Sequence, residues 1–407
     1  MGIFTTLSSV LRFRRFIWNS QERHLATAAS INDLRLIAKR RLPAGVFDYI
    51  DGAAEDELTL AANSLDFQRI TFRPKVLADV ATLRTNCSLF GREVRLPIIL
   101  SPTGFSRIAD PAGELAVARA AERAGLPYTL STMATRSIEE VAGVTSDRAR
   151  NWFQVYVWRD RELVESLLER ARQQRYEAIM LTVDTPVLGR RERDIRRGFT
   201  LPPQVGLDTL LEGVRHPGWT LDLIRAEPIT FANLVGSGVG DGTSAVSLSH
   251  QANSQFDQSL SWNDVRWFRE RWTGPIIVKG VQRTDDARRC VDEGVDAIAL
   301  SNHGGRQLDG APTPVSLIAP VVAAIDGAIP VFCDGGIRRG SDIAKALALG
   351  ATAAMIGRAY LFGLGAAGER GVDRAIGMLE EGLTKTMALT GAHDLSELTE
   401  DLISSPY

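Results

Sequence analysis

From about residue 97 onward, short apolar runs alternate with longer amphipathic stretches. This alternation is typical of strands that each lead into a helix, and it predicts βαβ units built on a parallel sheet. Eight runs have the length and composition of buried strands: Pro97–Ser101, Pro127–Ser131, Trp152–Val157, Ala178–Asp184, Pro275–Lys279, Asp296–Ser301, Ile329–Asp334 and Ala353–Ile356. Eight strands joined by crossovers close naturally into a (β/α)8 TIM barrel, so we predict this α/β fold rather than an open sheet.

The helices of the barrel are predicted in the amphipathic stretches between the strands. The clearest are Gly113–Ala124, Asp160–Gln173, Thr284–Glu293 and Ser341–Leu349, and two of them open on a capping residue, Thr284 and Ser341. Residues 31–95 precede the first strand and predict an N-terminal helical cap plus a small hairpin at the base of the barrel. We therefore expect one barrel domain over residues 31–403.

The segment 199–259 interrupts the alternation after the fourth strand. It contains Pro202-Pro203, His216-Pro217-Gly218 and a glycine-rich run at 236–240. A connection of this length inside a domain is usually a lid, a docking loop or a disordered segment. Because it leaves the rim at which the strands end, we expect a lid or docking loop, with disorder as the alternative. Its residues Trp219, Leu221, Leu223, Ile224 and Phe231 would form an apolar docking surface, unless they pack on the barrel.

Composition narrows the class of protein. The chain has 407 residues, of which 44% are hydrophobic and 24% charged, as in ordinary globular proteins. The net charge of −2 gives no reason to expect a nucleic-acid partner. The three cysteines are far apart, which predicts neither a disulfide framework nor a metal site. No run approaches the roughly 20 apolar residues that a membrane span needs.

The first thirty residues are basic: they carry Arg12, Arg14, Arg15 and Arg23, with Glu22 as their one acidic residue. Three interpretations compete. The segment is a mitochondrial presequence, a basic segment on a membrane surface, or an arm that packs on the domain.

The run from Ser301 to Asp309 carries the strongest chemical signal in the chain. It follows a predicted strand, so its polar groups lie at the strand's carboxyl end, where barrel enzymes place their chemistry. His303 can accept a proton near neutral pH, and Arg306 can bind a carboxylate. The alternative for His303 is a structural histidine whose ring is satisfied by its neighbours.

Polar residues also follow the other predicted strands, and their convergence on one rim predicts an active site. They are Ser101-Pro102-Thr103-Gly104, Ser131, Gln154, Tyr156, Thr182, Asp184, Lys279, Asp334-Gly335-Gly336, Arg338, and Gly357-Arg358. Burial of an unpaired Asp184 carboxylate at the end of an apolar strand would cost free energy, and a histidine partner would offset that cost.

Glycine and arginine occur together after the last two strands, where barrels often bind phosphate. The alternative is that these glycines only shape turns and that Arg338 and Arg358 are solvated. A phosphate site beside Lys279 indicates flavin mononucleotide (FMN). A Rossmann dinucleotide site is disfavoured, because no G-x-G-x-x-G opens a first βα unit.

Four motifs carry a resemblance to a known family. They are Phe47-Asp48-Tyr49, Gly52-Ala53-Ala54-Glu55-Asp56-Glu57, Ser301 to Asp309, and Asp334-Gly335-Gly336-Ile337-Arg338-Arg339-Gly340. From about Ile31 to Ile403 the chain resembles the FMN-dependent L-2-hydroxy acid dehydrogenases and oxidases, and within them the bacterial L-lactate dehydrogenases. The basic arm resembles extensions seen in the actinobacterial type, which weakens the presequence interpretation.

The resemblance implies a role for each site residue. Tyr49 and Arg306 would bind the substrate carboxylate with help from Arg191, and His303 would be the base, held by Asp184. Tyr156 would hydrogen-bond the substrate oxygen, and Lys279 would stabilise the anionic reduced flavin. The residues that would contact FMN are Pro102, Thr103, Gly104, Ser131, Gln154, Thr182, Lys279, Ser301, Asp334, Gly335, Gly336, Arg338, Gly357 and Arg358.

The implied reaction is oxidation of an L-2-hydroxy acid, most simply L-lactate to pyruvate. Gly104 stands where oxidases of the family carry alanine, which favours a quinone or another carrier over oxygen as acceptor. Met133 fills part of the pocket beside the substrate and leaves room for a methyl group. The family also implies a homotetramer, and the location we expect is cytoplasmic or peripheral on the inner face of the cell membrane rather than mitochondrial.

Three alternatives remain at this stage. The closest is an oxygen-using oxidase that forms hydrogen peroxide. The second is a flavin barrel with non-redox chemistry, which would not need Tyr49, His303 and Arg306 as a set. The third is a non-catalytic flavin or docking module, which should lack His303 or Lys279.

Overall fold

The computed structural model describes residues 17–197, 212–234 and 256–407. Eight parallel strands form a closed barrel, which confirms the predicted fold. The barrel strands are β4 to β11, and the full set is β1 Thr71–Phe72, β2 Cys87–Leu89, β3 Arg92–Val94, β4 Ile98–Leu100, β5 Pro127–Ser131, β6 Arg150–Tyr156, β7 Ala178–Thr182, β8 Ile276–Val281, β9 Ala297–Ser301, β10 Val331–Asp334, β11 Ala353–Ile356 and β12 Ile403–Ser404. Each barrel strand pairs with the next in sequence, and β11 pairs with β4 to close the ring.

Side chains on the two faces of the strands fill two separate cores. Large inward-facing residues such as Trp152, Met180 and Phe332 pack inside the barrel. Their neighbours Phe153 and Leu181 point outward and pack under the helices. Because both faces are buried, the strands read as continuous apolar runs in the sequence. That is why they could be recognised there.

The described helices surround the barrel. They are α1 Ser20–Thr27, α2 Ile31–Arg41, α3 Ala44–Asp51, α4 Leu58–Arg69, α5 Gly113–Ala124, α6 Ile138–Gly143, α7 Arg161–Gln173, α8 Glu192–Arg196, α9 Pro217–Arg225, α10 Trp262–Arg271, α11 Thr284–Asp292, α12 Pro314–Ala324, α13 Gly340–Ala348 and α14 Arg358–Thr390. Among them, none has both the length and the apolar character that a membrane crossing requires.

The predicted caps Thr284 and Ser341 are wrong. Both residues are already helical, and the capping positions belong to Arg283 and Arg339. In α13 the carboxylate of Asp342 accepts hydrogen bonds from the backbone N–H groups of Arg338 and Arg339. A first-turn aspartate thus satisfies free N–H groups that a capping serine would otherwise bind.

Two predicted strand ends also differ from the structure. Strand β7 ends at Thr182, so Asp184 lies in the following loop rather than in the strand. Strand β8 continues past Lys279 to Val281, and its register with β9 is irregular between these two residues. Gly280 has a φ of 110°, which a residue with a side chain rarely adopts. The glycine therefore makes this irregularity possible.

The segments before the barrel lie at both of its ends. The hairpin β2–β3 lies at the base, where Arg150 at the start of β6 donates hydrogen bonds to the carbonyl groups of Leu89 and Arg92. At the opposite end, the backbone N–H of Ala54, after α3, donates to the carbonyl of Gly305. Helix α3 is thereby placed against the loop that carries His303.

Helix α14 turns sharply at Ala367 and Gly368, whose backbone angles are not helical. The turn brings Gly363 and Gly371 together so closely that a Cβ at Gly371 would collide with the Gly363 carbonyl. A Cβ at Gly377, farther along the same helix, would meet no atom within 4 Å.

We predict that Gly371→Ala lowers the free energy of unfolding by roughly 1–3 kcal/mol, because the added methyl forces two backbone segments apart. The matched control Gly377→Ala should raise it by up to about 1 kcal/mol, since alanine favours helix over glycine. Urea unfolding of both variants measures the difference. Equal destabilisation by the two substitutions would contradict the packing described for Gly371.

Candidate active site

A cavity opens at the carboxyl ends of the barrel strands, with an empty volume of about 1510 Å³ including the solvent in its mouth. Sites for one small ligand usually measure roughly 300–1,000 Å³, so this cavity has room for a cofactor together with a substrate. Most of the predicted site residues line it: Tyr49, Pro102, Thr103, Gly104, Ser131, Gln154, Tyr156, Thr182, Arg191, Lys279, His303, Arg306, Asp334, Gly335, Gly336, Arg338, Gly357 and Arg358. Asp184 and Ser301 lie behind this lining: Asp184 pairs with His303, and Ser301 is hydrogen-bonded to Lys279, Asp334 and the backbone of His303.

His303 and Asp184 form a pair in which the Asp184 side chain is buried and the His303 side chain remains 26% exposed. The Nδ1 atom of His303 lies 3.0 Å from Oδ1 of Asp184. The backbone of His303 has a φ of 56°, and its N–H donates to Oγ of Ser301 at 3.0 Å. These contacts fix the ring and leave Nε2 as the ring nitrogen that remains for proton transfer.

The protonation states of this pair follow from its surroundings. Burial lowers the pKa of His303, although the Asp184 carboxylate opposes this shift. Burial would raise the pKa of Asp184, but His303 and Lys279 outweigh it and the pKa is lowered. Near neutral pH the site therefore holds an ionised carboxylate and a neutral imidazole, which is the state a general base requires.

Lys279 lies in the barrel wall, almost completely buried. Its Nζ donates to Oγ of Ser301 at 2.9 Å and lies 3.1 Å from Oδ2 of Asp334. Burial would lower the pKa of Lys279, but the carboxylates of Asp334 and Asp184 outweigh it and raise the pKa. The cavity wall thus contains a permanent, fixed positive charge.

Two arginines lie over the ring of Tyr49. The guanidinium carbon of Arg306 is 5.0 Å from the ring centroid and that of Arg191 is 5.7 Å from it. Nη1 of Arg306 also donates to the backbone carbonyls of Tyr49 and Gly52, at 2.7 and 3.1 Å. Burial and the neighbouring Arg191 lower the pKa of Arg306 to about 10, which still leaves it charged. Two guanidinium groups beside a phenol make a binding site for a carboxylate.

Arg338 and Arg358 bring further positive charge to the same end of the barrel. Arg358 donates to the carbonyls of Ile50, Gly52 and Gly304, which fixes its guanidinium group. Burial, together with Arg306 and Arg338, lowers the pKa of Arg358 to about 9. An anion bound here would relieve the repulsion among these cations, as phosphate does in many barrels.

The opposite side of the cavity offers hydrogen-bonding groups on a close-packed backbone. Oε1 of Gln154 accepts from Oγ of Ser131 and from the N–H of Thr132. Its buried Nε2 has no hydrogen-bond partner within the described part of the chain, so it is a donor for a ligand. A Cβ at Gly104 would lie 2.9 Å from the carbonyl oxygen of Met133, so the two backbone segments approach closely here.

The sequence reasoning missed part of the cavity lining. Phe231 and Phe256 both line it, and their rings lie 5.5 Å from Phe105 and 5.0 Å from Tyr156, centroid to centroid. Both phenylalanines belong to the long connection between β7 and β8. The local sequence pattern does not indicate the path of this connection. The sequence leaves open whether Phe231 belongs to a docking surface or packs on the barrel, and the structure shows the second, since its side chain is buried. Gln307 also lines the cavity, although it was not predicted as a site residue. Its position in the same motif as His303 could have indicated this.

Comparison with known proteins gives a consistent result. The family described as FMN-dependent dehydrogenase matches residues 38–405. A Mycobacterium tuberculosis protein named "Putative L-lactate dehydrogenase" is 44% identical over 97% of this chain and 93% of its own length. Glycolate oxidase of Spinacia oleracea is 42% identical over 93% of this chain and 96% of its own. The crystal structure of the monotopic membrane protein (S)-mandelate dehydrogenase superposes with a TM-score of 0.89 and 39% identity, over 93% of this chain and 100% of the other.

Proposed function

The chain belongs to the FMN-dependent dehydrogenase family and is an FMN-dependent 2-hydroxy acid oxidoreductase, and we propose that it oxidises L-lactate to pyruvate. The observation that carries the proposal is the pair of His303 and Asp184 in a cavity that Arg306 and Arg191 also line. A proton acceptor beside a carboxylate site is what oxidation of a 2-hydroxy acid requires.

The residues of the cavity fit FMN. The cluster of Arg338 and Arg358 suits its phosphate, and the unpaired donor of Gln154 suits an acceptor on its ring. We propose that the ring and ribityl chain are held by Pro102, Thr103, Gly104, Ser131, Gln154, Thr182, Lys279 and Ser301, and the phosphate end by Asp334, Gly335, Gly336, Arg338, Gly357 and Arg358. When bound, FMN accepts the electron pair that leaves the substrate.

The substrate carboxylate would bind between Arg306 and Arg191, with the hydroxyl of Tyr49 completing its hydrogen bonds. His303 would accept a proton at Nε2. That proton comes from the substrate hydroxyl as hydride leaves Cα, or from Cα itself. In either route the imidazolium that forms is stabilised by the ionised Asp184, which lies 3.0 Å away. Tyr156, beside this pair, would hydrogen-bond the substrate oxygen.

Lys279 supports the same reaction through its charge. Its ammonium group stays protonated in the wall, because Asp334 and Asp184 raise its pKa. Positive charge that is already in place stabilises negative charge that develops during the reaction, without any reorganisation. We therefore propose that Lys279 acts in catalysis as well as in binding FMN.

The choice of lactate rests on the apolar part of the cavity. Met133 and Leu188 line it together with Phe231 and Phe256, and a methyl group is compatible with these walls. The similarity to a protein named as an L-lactate dehydrogenase supports the same choice. Glycolate and mandelate are the competing substrates, since relatives named for them are comparably similar.

We propose a quinone or a similar carrier as the electron acceptor. Position 104 carries glycine, and a methyl group there would approach the Met133 carbonyl oxygen to 2.9 Å. Oxidases that the chain resembles generally carry alanine at this position, so the absence of the methyl, which changes the space beside the flavin, supports a dehydrogenase. An oxidase that forms hydrogen peroxide is the competing function.

We predict that L-lactate rapidly bleaches the flavin absorbance of the purified protein without oxygen, because the site can bind its carboxylate and accept its proton. A quinone analogue should then restore the colour quickly and air only slowly. Rapid recovery in air with peroxide formation would indicate an oxidase. No bleaching by lactate would contradict the proposed substrate, and glycolate, mandelate and longer 2-hydroxy acids, tested in parallel, would identify another.

The proposed phosphate site makes a second prediction. Arg338→Met should weaken FMN binding roughly 10- to 150-fold, equivalent to the about 1.5–3 kcal/mol of a hydrogen bond to a charged group. Riboflavin has no phosphate, so its affinity should hardly change. Fluorescence titration of the flavin-free protein measures both affinities, and Arg339→Met at the exposed neighbouring position is the control. Equal weakening of both flavins would place the phosphate elsewhere.

We further propose peripheral contact with a membrane through helix α9, within the lid or docking segment 199–259. Trp219 anchors this helix inward, since its Nε1 donates to the carbonyl of Ile108 at 2.7 Å. Leu221 and Ile224 face outward, with 48% and 73% of their surface exposed. Residues 199–211 and 235–255 of this segment, and residues 1–16 of the basic arm 1–30, lie outside the described residues.

We predict that the protein floats with anionic lipid vesicles at low salt and that Ile224→Gln reduces the bound fraction, because it removes apolar surface from the contact. Leu389→Gln, at an equally exposed position on another helix, should leave it unchanged. Complete recovery of the wild-type protein in the soluble fraction would contradict membrane contact.

We also propose that the protein forms a homotetramer. Light scattering of the purified protein without vesicles measures its mass and tests this proposal.

A further inference from the structure

The side-chain amide of Gln307 makes three hydrogen bonds, all with the backbone of one segment. Its Nε2 donates to the carbonyl of Asp184 at 2.9 Å and to that of Val187 at 2.8 Å. Its Oε1 accepts from the N–H of Gly189 at 3.0 Å. Both ends of the amide are therefore engaged with the loop that follows β7.

This loop connects two residues of the proposed mechanism. Asp184, the partner of His303, lies at its start, and Arg191, over the ring of Tyr49, lies just beyond its end. The apolar side chains between them anchor it weakly, since Val187 is 57% and Leu188 39% exposed. Between Asp184 and Gly189 one side chain, that of Thr185, is buried, so hydrogen bonds to the backbone hold the rest of the loop.

Close backbone packing makes the amide contacts specific. A Cβ at Gly189 would collide with the carbonyl oxygens of Arg306 and Gln307, so the two segments touch without an intervening side chain. At the far end, the carbonyl of Arg190 accepts from the N–H of Glu55. Between these anchors, Gln307 supplies the hydrogen bonds that fix the position of Asp184 in the loop.

We infer that Gln307 is a positioning residue for the proposed reaction: its amide holds the loop 184–189 so that Asp184 meets His303 and Arg191 meets the substrate carboxylate. The inference rests on the proposed function for its kinetic consequences. The structural part, that the amide sets the contact between Asp184 and His303, can be tested without turnover.

The ring of His303 reports on this contact. Asp184 is the group that favours its protonated form, whereas Lys279 on β8 and Arg306 on its own loop oppose it. Arg358 also reaches this loop, at the carbonyl of Gly304. If Asp184 moves away, the three cations remain, and the pKa of His303 must fall.

The test substitutes Gln307→Met, which keeps the length of the side chain and removes all three hydrogen bonds. The pKa of His303 is measured by NMR titration of ¹⁵N-histidine-labelled holoenzyme, with Asp184→Asn as the reference for complete loss of the carboxylate. We expect Gln307→Met to lower this pKa in the direction of that reference. Gln173→Met is the matched control, because it removes an exposed amide that donates to Glu169 on α7, on the outside of the barrel.

The second measurement is the steady-state kinetics with the hydroxy acid that reduces the flavin fastest. We expect kcat/KM to fall about 10- to 100-fold, as misplacement of catalytic groups by about 1 Å does, and its low-pH limb to move to lower pH. Gln307→Asn, which keeps an amide but shortens the side chain, should give a smaller loss and serves if the methionine variant folds poorly.

An unchanged pKa of His303 in a folded, flavin-replete variant would overturn the inference, whatever the protein oxidises. Absence of flavin reduction by any hydroxy acid in the wild-type protein would instead overturn the proposed function. The titration then still decides the role of Gln307, so the two failures are distinguishable.

Discussion

The burial of an ionised Asp184 against His303 is the interaction on which the rest of the site depends. A carboxylate removed from water is costly unless a partner compensates it, and here the histidine ring and the ammonium of Lys279 do so. The contact restricts its surroundings, because a Cβ at Gly280 would lie 2.7 Å from Cβ of Asp184. The left-handed backbone of His303 and the bulge in β8 both accommodate this pair, which gives the proposed base its partner.

The positive charges are organised by a different constraint. The carbonyl groups of Tyr49, Ile50 and Gly52, at the carboxyl end of α3, accept hydrogen bonds from Arg306 and Arg358. This end of a helix carries partial negative charge, so it can hold two guanidinium groups side by side. The same helix thereby orients Tyr49 and both cations. One short helix, far from the barrel in sequence, thus completes the proposed substrate and phosphate sites.

The sequence predicted the barrel well because each buried strand is a local apolar run, and closure follows from the number of strands. It also predicted which residues gather at the rim, since parallel strands bring their carboxyl ends together. It left open whether Phe231 turns inward, and it could not predict that Asp184 lies beyond its strand or that Gln307 spans two loops. Each of these depends on contacts between segments distant in sequence, for which no periodic pattern exists. The roles assigned to the site residues stay predictions.

The most direct test of the account is the rate at which L-lactate reduces the flavin without oxygen, compared between the wild-type protein and His303→Gln at equal FMN content. Loss of a general base typically slows a reaction about 10²- to 10⁴-fold. We predict a reduction rate lower by such a factor, with substrate binding largely retained through Arg306 and Arg191. Equal rates in the two proteins would contradict the assignment of His303 as the base that the buried Asp184 supports.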